Sequence, residues 1–221
     1  MHKSRIWERD MTTIIAIAGG SCSGKTTLAR YLQNHLGDSE CLMIRQDDYY
    51  FDIRDRKTDE GLPNFDVPSA VDFDSLASDL MALKSGKAVA LPNYDFKTHQ
   101  RIPASQAISP RRYTVVEGLL LLDNPKIREI ADCKTYMKCS YERRFARRLS
   151  RDVAERGRTE DFVREQFAKD VEPAHQSFIK PSVKFADIII DQDSYLADIN
   201  AVIDTIMKAV QHTGTVLSPT L

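Results

Sequence analysis

The feature that most constrains this chain is a glycine-rich stretch near its N-terminus, Gly19-Gly20-Ser21-Cys22-Ser23-Gly24-Lys25-Thr26-Thr27. An apolar run rich in β-branched side chains, residues 12–18, precedes it, and a helical pattern from Thr27 to Leu36 follows. The spacing G-x-x-x-x-G-K-T between a strand and a helix is typical of a phosphate-binding loop, because glycines let successive N–H groups point at phosphate oxygens. A chance match is expected on the order of once in a hundred chains of this length, so an ordinary glycine turn is disfavoured.

The loop also predicts the roles of individual side chains. The helix N-terminus adds a partial positive charge, and Lys25 brings a full charge to the β- and γ-phosphates. The hydroxyl of Thr26 can ligate Mg²⁺. We therefore expect the whole loop, from Gly19 to Thr27, to bind a nucleoside triphosphate.

Composition excludes several classes of protein. The net charge of −1 gives no global sign of a nucleic-acid or membrane partner. No apolar run approaches the roughly 20 residues that span a bilayer, and no secretory signal is visible. The four cysteines form no C-x-x-C pair and the five histidines no H-E-x-x-H motif. We expect a reduced, cytoplasmic protein without disulfides or structural zinc.

The alternation of strand and helix patterns, without internal repeats, predicts one α/β domain of the P-loop NTPase type. The expected architecture is a three-layer α/β/α fold with a mostly parallel sheet and a helical, arginine-bearing lid. We assign residues 12–211 to this domain, with the lid at about 141–172, and residues 212–221 to a flexible tail. Residues 1–11 are either an arm docked on a neighbour or sequence that precedes a true start at Met11.

Carboxylates at strand ends are the first candidates for chemistry. The predicted strand Cys41–Arg45 is followed by Asp47 and Asp48, and such positions face the ligand crevice of parallel sheets. Either aspartate is a candidate, and two solvated loop residues are the alternative. Glu117 lies within the apolar run Tyr113–Leu122, where a carboxylate is costly unless it is paired or near a cation. We expect Glu117 to end that strand beside Mg²⁺, and a satisfied structural glutamate is the alternative.

The region from Arg143 to Arg158 contains seven arginines and no lysine. The use of arginine without lysine favours bidentate contacts with phosphate or carboxylate groups. A solvated basic helix face is the alternative. A four-residue repeat predicts a packed stripe of Phe145, Leu149 and Val153, with Arg144, Arg148 and Arg151 on another face. The break at Gly157 and the helix after it suit a lid that closes over ATP.

A polar loop from Pro92 to Arg101 carries two aromatic side chains and a histidine: Tyr94, Phe96 and His99. Such a set can line a pocket for a flat ring. A surface histidine is the alternative.

Taken together, the motifs resemble the uridine kinases (uridine-cytidine kinases) of the phosphoribulokinase-like P-loop kinases over Ile14 to Ile190. The resemblance rests on the phosphate loop, Gln46-Asp47-x-Tyr49-Tyr50, Asn64-Phe65-Asp66-x-Pro68-Ser69-Ala70, Pro92-x-Tyr94-x-Phe96-x-x-His99-x-Arg101, Glu117-Gly118, Arg148-x-x-Arg151-Asp152, Glu155-Arg156-Gly157-Arg158 and Ala186-Asp187-Ile188-Ile189.

The resemblance implies transfer of the ATP γ-phosphoryl group to the 5′-hydroxyl of uridine or cytidine, a step of pyrimidine salvage. It assigns the catalytic roles to Asp47, Lys25 and Arg151, with Arg156 also approaching the phosphates. It places Mg²⁺ at Thr26 and Glu117, with Asp47 as a further carboxylate on the metal side. It assigns nucleoside contacts to Asp66, Arg148, Tyr94, His99, Phe96, Arg158 and Gln166. It also suggests a homo-oligomer, specifically a tetramer.

Two departures from that family leave questions open. Asp191-Gln192-Asp193 replaces a frequent Pro-Arg-Gly near the adenine, so GTP stays open as a phosphoryl donor besides ATP. Asp66 is followed by Val-Pro rather than His-Pro. A sibling kinase of nicotinamide riboside or pantothenate is the nearest alternative. A nucleotide-dependent switch is disfavoured because D-x-x-G and N-K-x-D are absent, and a nucleic-acid-dependent ATPase is disfavoured by the near-neutral charge.

Overall fold

The computed structural model describes residues 12–56 and 63–215, so the predicted arm, residues 1–11, lies outside the described residues. The strands of the main sheet are Thr13–Gly19 (β1), Cys41–Arg45 (β2), Tyr113–Gly118 (β5), Cys133–Lys138 (β6) and Ile188–Asp191 (β7). They are parallel and run in the order β2-β5-β1-β6-β7. Asn93–Asp95 (β3) and Gln100–Ile102 (β4) form a separate antiparallel hairpin.

The helices are Lys25–Leu36 (α1), Phe73–Lys84 (α2), Pro125–Ile130 (α3), Tyr141–Arg156 (α4), Glu160–Gln166 (α5), Glu172–Ala174 (α6), Gln192–Ala197 (α7) and Ile199–Thr215 (α8). Wide π-helical turns cover Phe167–Val171 and His175–Ile179. Side-chain oxygens cap helix N-termini: Asp72 accepts a hydrogen bond from the Ser75 amide at 3.0 Å, and Ser140 caps α4. Capping oxygens satisfy backbone donors that the first helical turn leaves free.

The sheet is covered on both faces. Ile14, Ala16 and Ala18 of β1 belong to a core shared with α2 and α3, whereas Ile15 and Ile17 belong to a second core shared with α1 and α8. A strand buried on both faces needs a continuous apolar run, which is what the sequence shows before the loop. The predicted three-layer α/β/α fold with a mostly parallel sheet is confirmed. Over the described part of the chain, no helix combines the length and apolarity needed to cross a membrane.

The most apolar run is only partly a strand. β5 ends at Gly118, and Leu119–Leu122 form a buried turn. Gln46 explains the end of the strand, because its Oε1 accepts a hydrogen bond from the Leu120 amide at 2.8 Å. A Cβ on Gly118 would lie 2.3 Å from the Cβ of Gln46, so the glycine is required for this crossing. The prediction that Glu117 and Gly118 mark the strand end is confirmed.

The C-terminal elements extend into the predicted tail. The last strand is Ile188–Asp191, and residues 181–185 before it form a 3₁₀ turn. Two helices follow the strand, and Asp198 accepts a hydrogen bond from the Ala201 amide at the start of α8. α8 continues to Thr215, so the part of the predicted tail that it covers is helical.

Candidate active site

The loop between β1 and α1 folds around its own lysine. The Lys25 ammonium is buried and donates a hydrogen bond to the Gly20 carbonyl at 2.9 Å. Cys22 and Gly24 have φ values of 58° and 99°, the left-handed backbone that builds anion-binding concavities. Burial lowers the pKa of Lys25, and the nearby Glu117 carboxylate opposes that shift. The loop therefore presents a helix N-terminus and a desolvated cation to one cleft.

Glu117, at the end of β5, lies next to the loop. The Thr26 hydroxyl donates a hydrogen bond to Glu117 Oε1 at 2.8 Å. Burial raises the pKa of Glu117, and the charge of Lys25 opposes the rise. A hydroxyl and a carboxylate oxygen suit Mg²⁺, which takes few protein ligands and keeps water or phosphate oxygens. Within the described ranges, no group of three or more His, Cys, Asp or Glu side chains could hold a metal by itself. These residues thus fit an ion that takes other ligands from a nucleotide and water.

The structure separates the two aspartates that the sequence left as alternatives. Asp48 accepts hydrogen bonds from Arg45 at 2.7 and 2.9 Å, which commits it to a local ion pair. Asp47 lines the cleft instead, and its charge acts on Lys25. The buried Tyr50 phenol lies close enough to Asp47 for that carboxylate to act on it: burial, followed by the charge of Asp47, raises the pKa of the phenol. Asp47 is therefore the candidate for chemistry.

An aromatic cluster forms the wall of the cleft at the β3–β4 hairpin. Tyr94, Phe96 and His99, singled out from the sequence, meet Tyr50 and Phe65, which sequence reasoning did not include among the site residues. The Phe65 and His99 rings stack with centroids 5.1 Å apart. Burial raises the pKa of Tyr94 to about 12 and lowers that of His99. The Tyr94 hydroxyl and His99 Nδ1 are buried without a hydrogen-bond partner in the described part of the chain, so they keep unused hydrogen-bonding capacity.

The lid helix α4 buries a different face from the predicted one. The predicted stripe of Phe145, Leu149 and Val153 is wrong: Val153 is 38 % exposed and the other two are half-buried. The buried side chains of α4 are Arg144, Arg148 and Asp152. This charged face can be buried because its guanidinium groups meet carboxylates, as when Arg144 pairs with Glu172 at 2.7 Å.

Arg148 connects the lid to the loop and to the acceptor side of the cleft. Its Nη1 donates a hydrogen bond to the Ser21 hydroxyl at 3.0 Å and lies 3.8 Å from the Asp66 carboxylate. Its Nη2 donates to Gln166 Oε1 at 3.1 Å, and Arg158 donates to the same oxygen at 2.8 Å. Burial raises the pKa of Asp66, and Arg148 opposes the rise. Of the side chains assigned to nucleoside contacts, Arg148 therefore contacts the phosphate loop directly and connects it to Asp66 and Gln166.

Most of the residues proposed from the sequence line one cleft of about 730 Å³. They are Ser21, Cys22, Gly24, Lys25, Thr26, Thr27, Asp47, Asp66, Tyr94, Phe96, His99, Glu117, Arg148, Arg151, Arg156, Arg158 and Gln166. Gly19, Gly20 and Ser23 belong to the loop but are not lining residues.

The end of the cleft beyond the loop is formed by residues that the sequence did not identify. Tyr31, Tyr195 and Leu196 line it together with Gln192. Gln192 is 2 % exposed, and its side-chain oxygen has no partner within the described residues. Gln192 belongs to the stretch Asp191-Gln192-Asp193, which replaces the frequent Pro-Arg-Gly. This stretch therefore contributes a side chain to the lining of the cleft.

Sequence comparisons connect this geometry to known proteins. The pattern of the Phosphoribulokinase / Uridine kinase family matches residues 14–196. A uridine kinase of Brevibacillus brevis is 41 % identical over 183 residues, covering 82 % of this chain and 86 % of that protein. A uridine kinase of Staphylococcus aureus is 42 % identical over 182 residues, covering 82 % of this chain and 88 % of that protein.

Solved structures share the fold at lower identity. The phosphoribulokinase of Rhodobacter spheroides superposes with a TM-score of 0.59 at 16 % identity, covering 83 % of this chain and 71 % of that one. The D-glycerate 3-kinase of Cryptococcus neoformans gives a TM-score of 0.58 at 14 % identity, covering 83 % and 87 %. Both similarities concern the fold alone.

Proposed function

This chain belongs to the phosphoribulokinase/uridine kinase family, and from that premise we propose that it transfers the γ-phosphoryl group of ATP to the 5′-hydroxyl of uridine or cytidine. One observation carries the proposal: the Lys25 loop, the Asp47 carboxylate and the aromatic cluster line the same cleft. A triphosphate end and a nucleoside fit these two halves. The products are ADP and UMP or CMP.

Asp47 acts as the general base. It takes the proton of the 5′-hydroxyl while that oxygen bonds to the γ-phosphorus and the bond from the γ-phosphorus to the bridging β,γ-oxygen breaks. The nearby Tyr50 phenol keeps its proton, because burial and the charge of Asp47 raise its pKa. Since phosphoryl transfer passes through a loose transition state, positioning and charge neutralisation supply most of the acceleration.

The donor side neutralises phosphate charge. Lys25 meets the β- and γ-phosphates, and Arg151 and Arg156 approach them from the lid. Mg²⁺, held by Thr26 and Glu117 beside Asp47, supplies further positive charge when it is bound with the nucleotide. ATP is the proposed donor, and GTP stays open because Gln192 stands near the end of the cleft where the family frequently carries Pro-Arg-Gly.

The acceptor side recognises a flat base and a ribose. Asp66 and Arg148 bind the sugar hydroxyls, with Arg158 and Gln166 closing over the nucleoside. The unpaired polar atoms of Tyr94 and His99 offer hydrogen bonds to a pyrimidine edge, while Phe96 packs beside the ring. A pocket of this chemistry disfavours pantothenate, which has no ring. Nicotinamide riboside is a competing ring-bearing acceptor that the experiment below includes.

The resemblance extends the proposal beyond the reaction. It places the enzyme in the cytoplasm, in pyrimidine salvage, as a homo-oligomer and specifically a tetramer. It gives no role to a nucleic acid or a membrane. These statements stay predictions.

The direct test is a panel of acceptors with Mg-ATP, following ADP release and the mass of the product. Uridine, cytidine, nicotinamide riboside and pantothenate are compared at equal concentrations. We expect turnover with uridine or cytidine and a product heavier by one phosphoryl group. ADP release that needs no nucleoside, or a phosphorylated product only with another acceptor, contradicts the proposal.

A further inference from the structure

A fully buried carboxylate lies among the arginines of the lid. The Asp152 side chain is 0 % exposed. Four guanidinium groups surround it: Arg151 at 2.8 Å, Arg148 at 3.4 Å, Arg156 at 3.4 Å and Arg158 at 3.7 Å. Asp152 belongs to the Arg148-x-x-Arg151-Asp152 motif, but the resemblance to the uridine kinases gives its carboxylate no role.

The contacts of Asp152 are unequal, which shows how the cluster is built. Arg151 binds it in a fork, with Nε and Nη2 both 2.8 Å from Oδ1. Oδ2 faces Arg148 and Arg158 at longer range and has no hydrogen-bond partner among the described residues. The backbone carbonyl of Asp152 accepts a hydrogen bond from the Arg158 amide at 3.1 Å, so the residue also fixes the turn that ends α4.

A single carboxylate cannot neutralise four guanidinium groups, so the cluster keeps an excess of positive charge. A second carboxylate, Asp66, lies 3.8 Å from Arg148. Without Asp152 the arginines would repel one another across a buried space and lose their common geometry. The arginines also come from both sides of the reaction, because Arg151 and Arg156 face the phosphates in the proposed function.

We propose that Asp152 is a positioning residue for phosphoryl transfer. It holds the donor-side and acceptor-side arginines in one arrangement. Its negative charge also weakens their attraction for phosphate, so that the triphosphate does not bind all of the lid arginines in a geometry that prevents the reaction. It touches no substrate itself. The inference rests on the proposed function for the assignment of Arg151 and Arg156 to the phosphates.

The test is Asp152→Asn, which keeps the shape and removes the charge. The matched control is Asp161→Asn, the same change on an exposed aspartate of the lid. Turnover is measured with uridine and Mg-ATP, and binding of inorganic triphosphate is measured by calorimetry without any acceptor. We expect kcat to fall about 10²-fold in Asp152→Asn, and triphosphate to bind at least about fivefold more tightly. The control changes neither quantity.

The two readouts separate positioning from damage to the fold. A merely structural role predicts weaker triphosphate binding together with lower turnover, and that outcome overturns the proposal, as does a kcat within about twofold of the unaltered enzyme. If Asp152→Asn does not fold, Asp152→Ala is assayed with formate, which can enter the vacated space as a carboxylate. Formate must then raise kcat at least about threefold, while uncharged formamide must not. If the unaltered protein turns over neither uridine nor cytidine, the proposed function is wrong. The binding of triphosphate to the unaltered protein and to Asp152→Asn still decides the role of Asp152 in that case.

Discussion

The stability of this protein should depend on one buried histidine behind the phosphate loop. His175 is 7 % exposed, and a Cβ on Gly20 would lie 3.0 Å from its imidazole ring. The charged groups that act on it are Arg144, Glu172, Lys180 and Lys25. Burial, followed by the charge of Arg144, lowers the pKa of His175 to about 4. The folded chain therefore keeps a neutral imidazole next to the loop that binds phosphate.

The size of the effect follows from proton linkage. An unfolded histidine titrates near pH 6.5, so between that value and about 4 the unfolded chain binds more protons than the folded one. Stability contributed by His175 is thus complete above pH 6.5 and is lost as the pH falls toward 4. The two pKa values give a loss of about 2 kcal/mol at about pH 5. Because charges inside proteins experience an effective dielectric constant well above that of dry protein, we expect a loss of about 1.5 kcal/mol.

The assay is urea unfolding followed by circular dichroism at about pH 7.5 and about pH 5. We expect the unaltered protein to lose about 1.5 kcal/mol more than His175→Asn between the two conditions, because the variant lacks the titrating group. His35→Asn, an exposed histidine on α1, serves as the control and should keep the full pH dependence. If the unaltered protein and His175→Asn lose the same free energy of unfolding between the two pH values, His175 is not the source of this pH dependence.

Three further predictions concern the cleft. Tyr94→Phe should raise the KM for uridine about tenfold and leave that for ATP unchanged, since only a base-facing hydroxyl is lost; equal changes in both KM values would contradict this role. Lys25→Met should lower kcat/KM for ATP at least about 10³-fold in steady-state assays, and a loss under tenfold would remove the ammonium from catalysis. Gly20→Ala should lower the free energy of unfolding by about 1–3 kcal/mol in urea titrations. Its Cβ would lie 2.6 Å from the buried side chain of Arg144, and an unchanged midpoint would show that this contact relaxes freely.

Local patterns were enough to predict the frame of the site. The loop from Gly19 to Thr27 has its signature in consecutive residues, and the strand and helix patterns that flank it need only neighbours in sequence. The Glu117 strand end was also predictable, because a carboxylate within an apolar run must find a partner. Thr26 supplies that partner at 2.8 Å.

What failed depended on contacts between distant residues. The face of α4 was misassigned because apolar and charged side chains both repeat every four residues, and only the fold shows that Asp152 is buried with the arginines. Tyr50 and Phe65 were overlooked for a similar reason, since they pack against Tyr94 in one wall of the cleft from separate segments of the chain. The many arginines and carboxylates near Arg148 in the sequence indicated that ion pairs would form there. Their spacing did not indicate which residues would pair with Arg148.

In the proposed reaction, Asp47 accepts the proton of a nucleoside's primary hydroxyl opposite the Lys25 loop. The most direct test is the turnover of Asp47→Asn with uridine and Mg-ATP, measured by ADP release, alongside calorimetric binding of each substrate. We predict near-normal binding of both substrates with kcat reduced at least about 10²-fold. Near-normal turnover in that variant would show that Asp47 is not the general base.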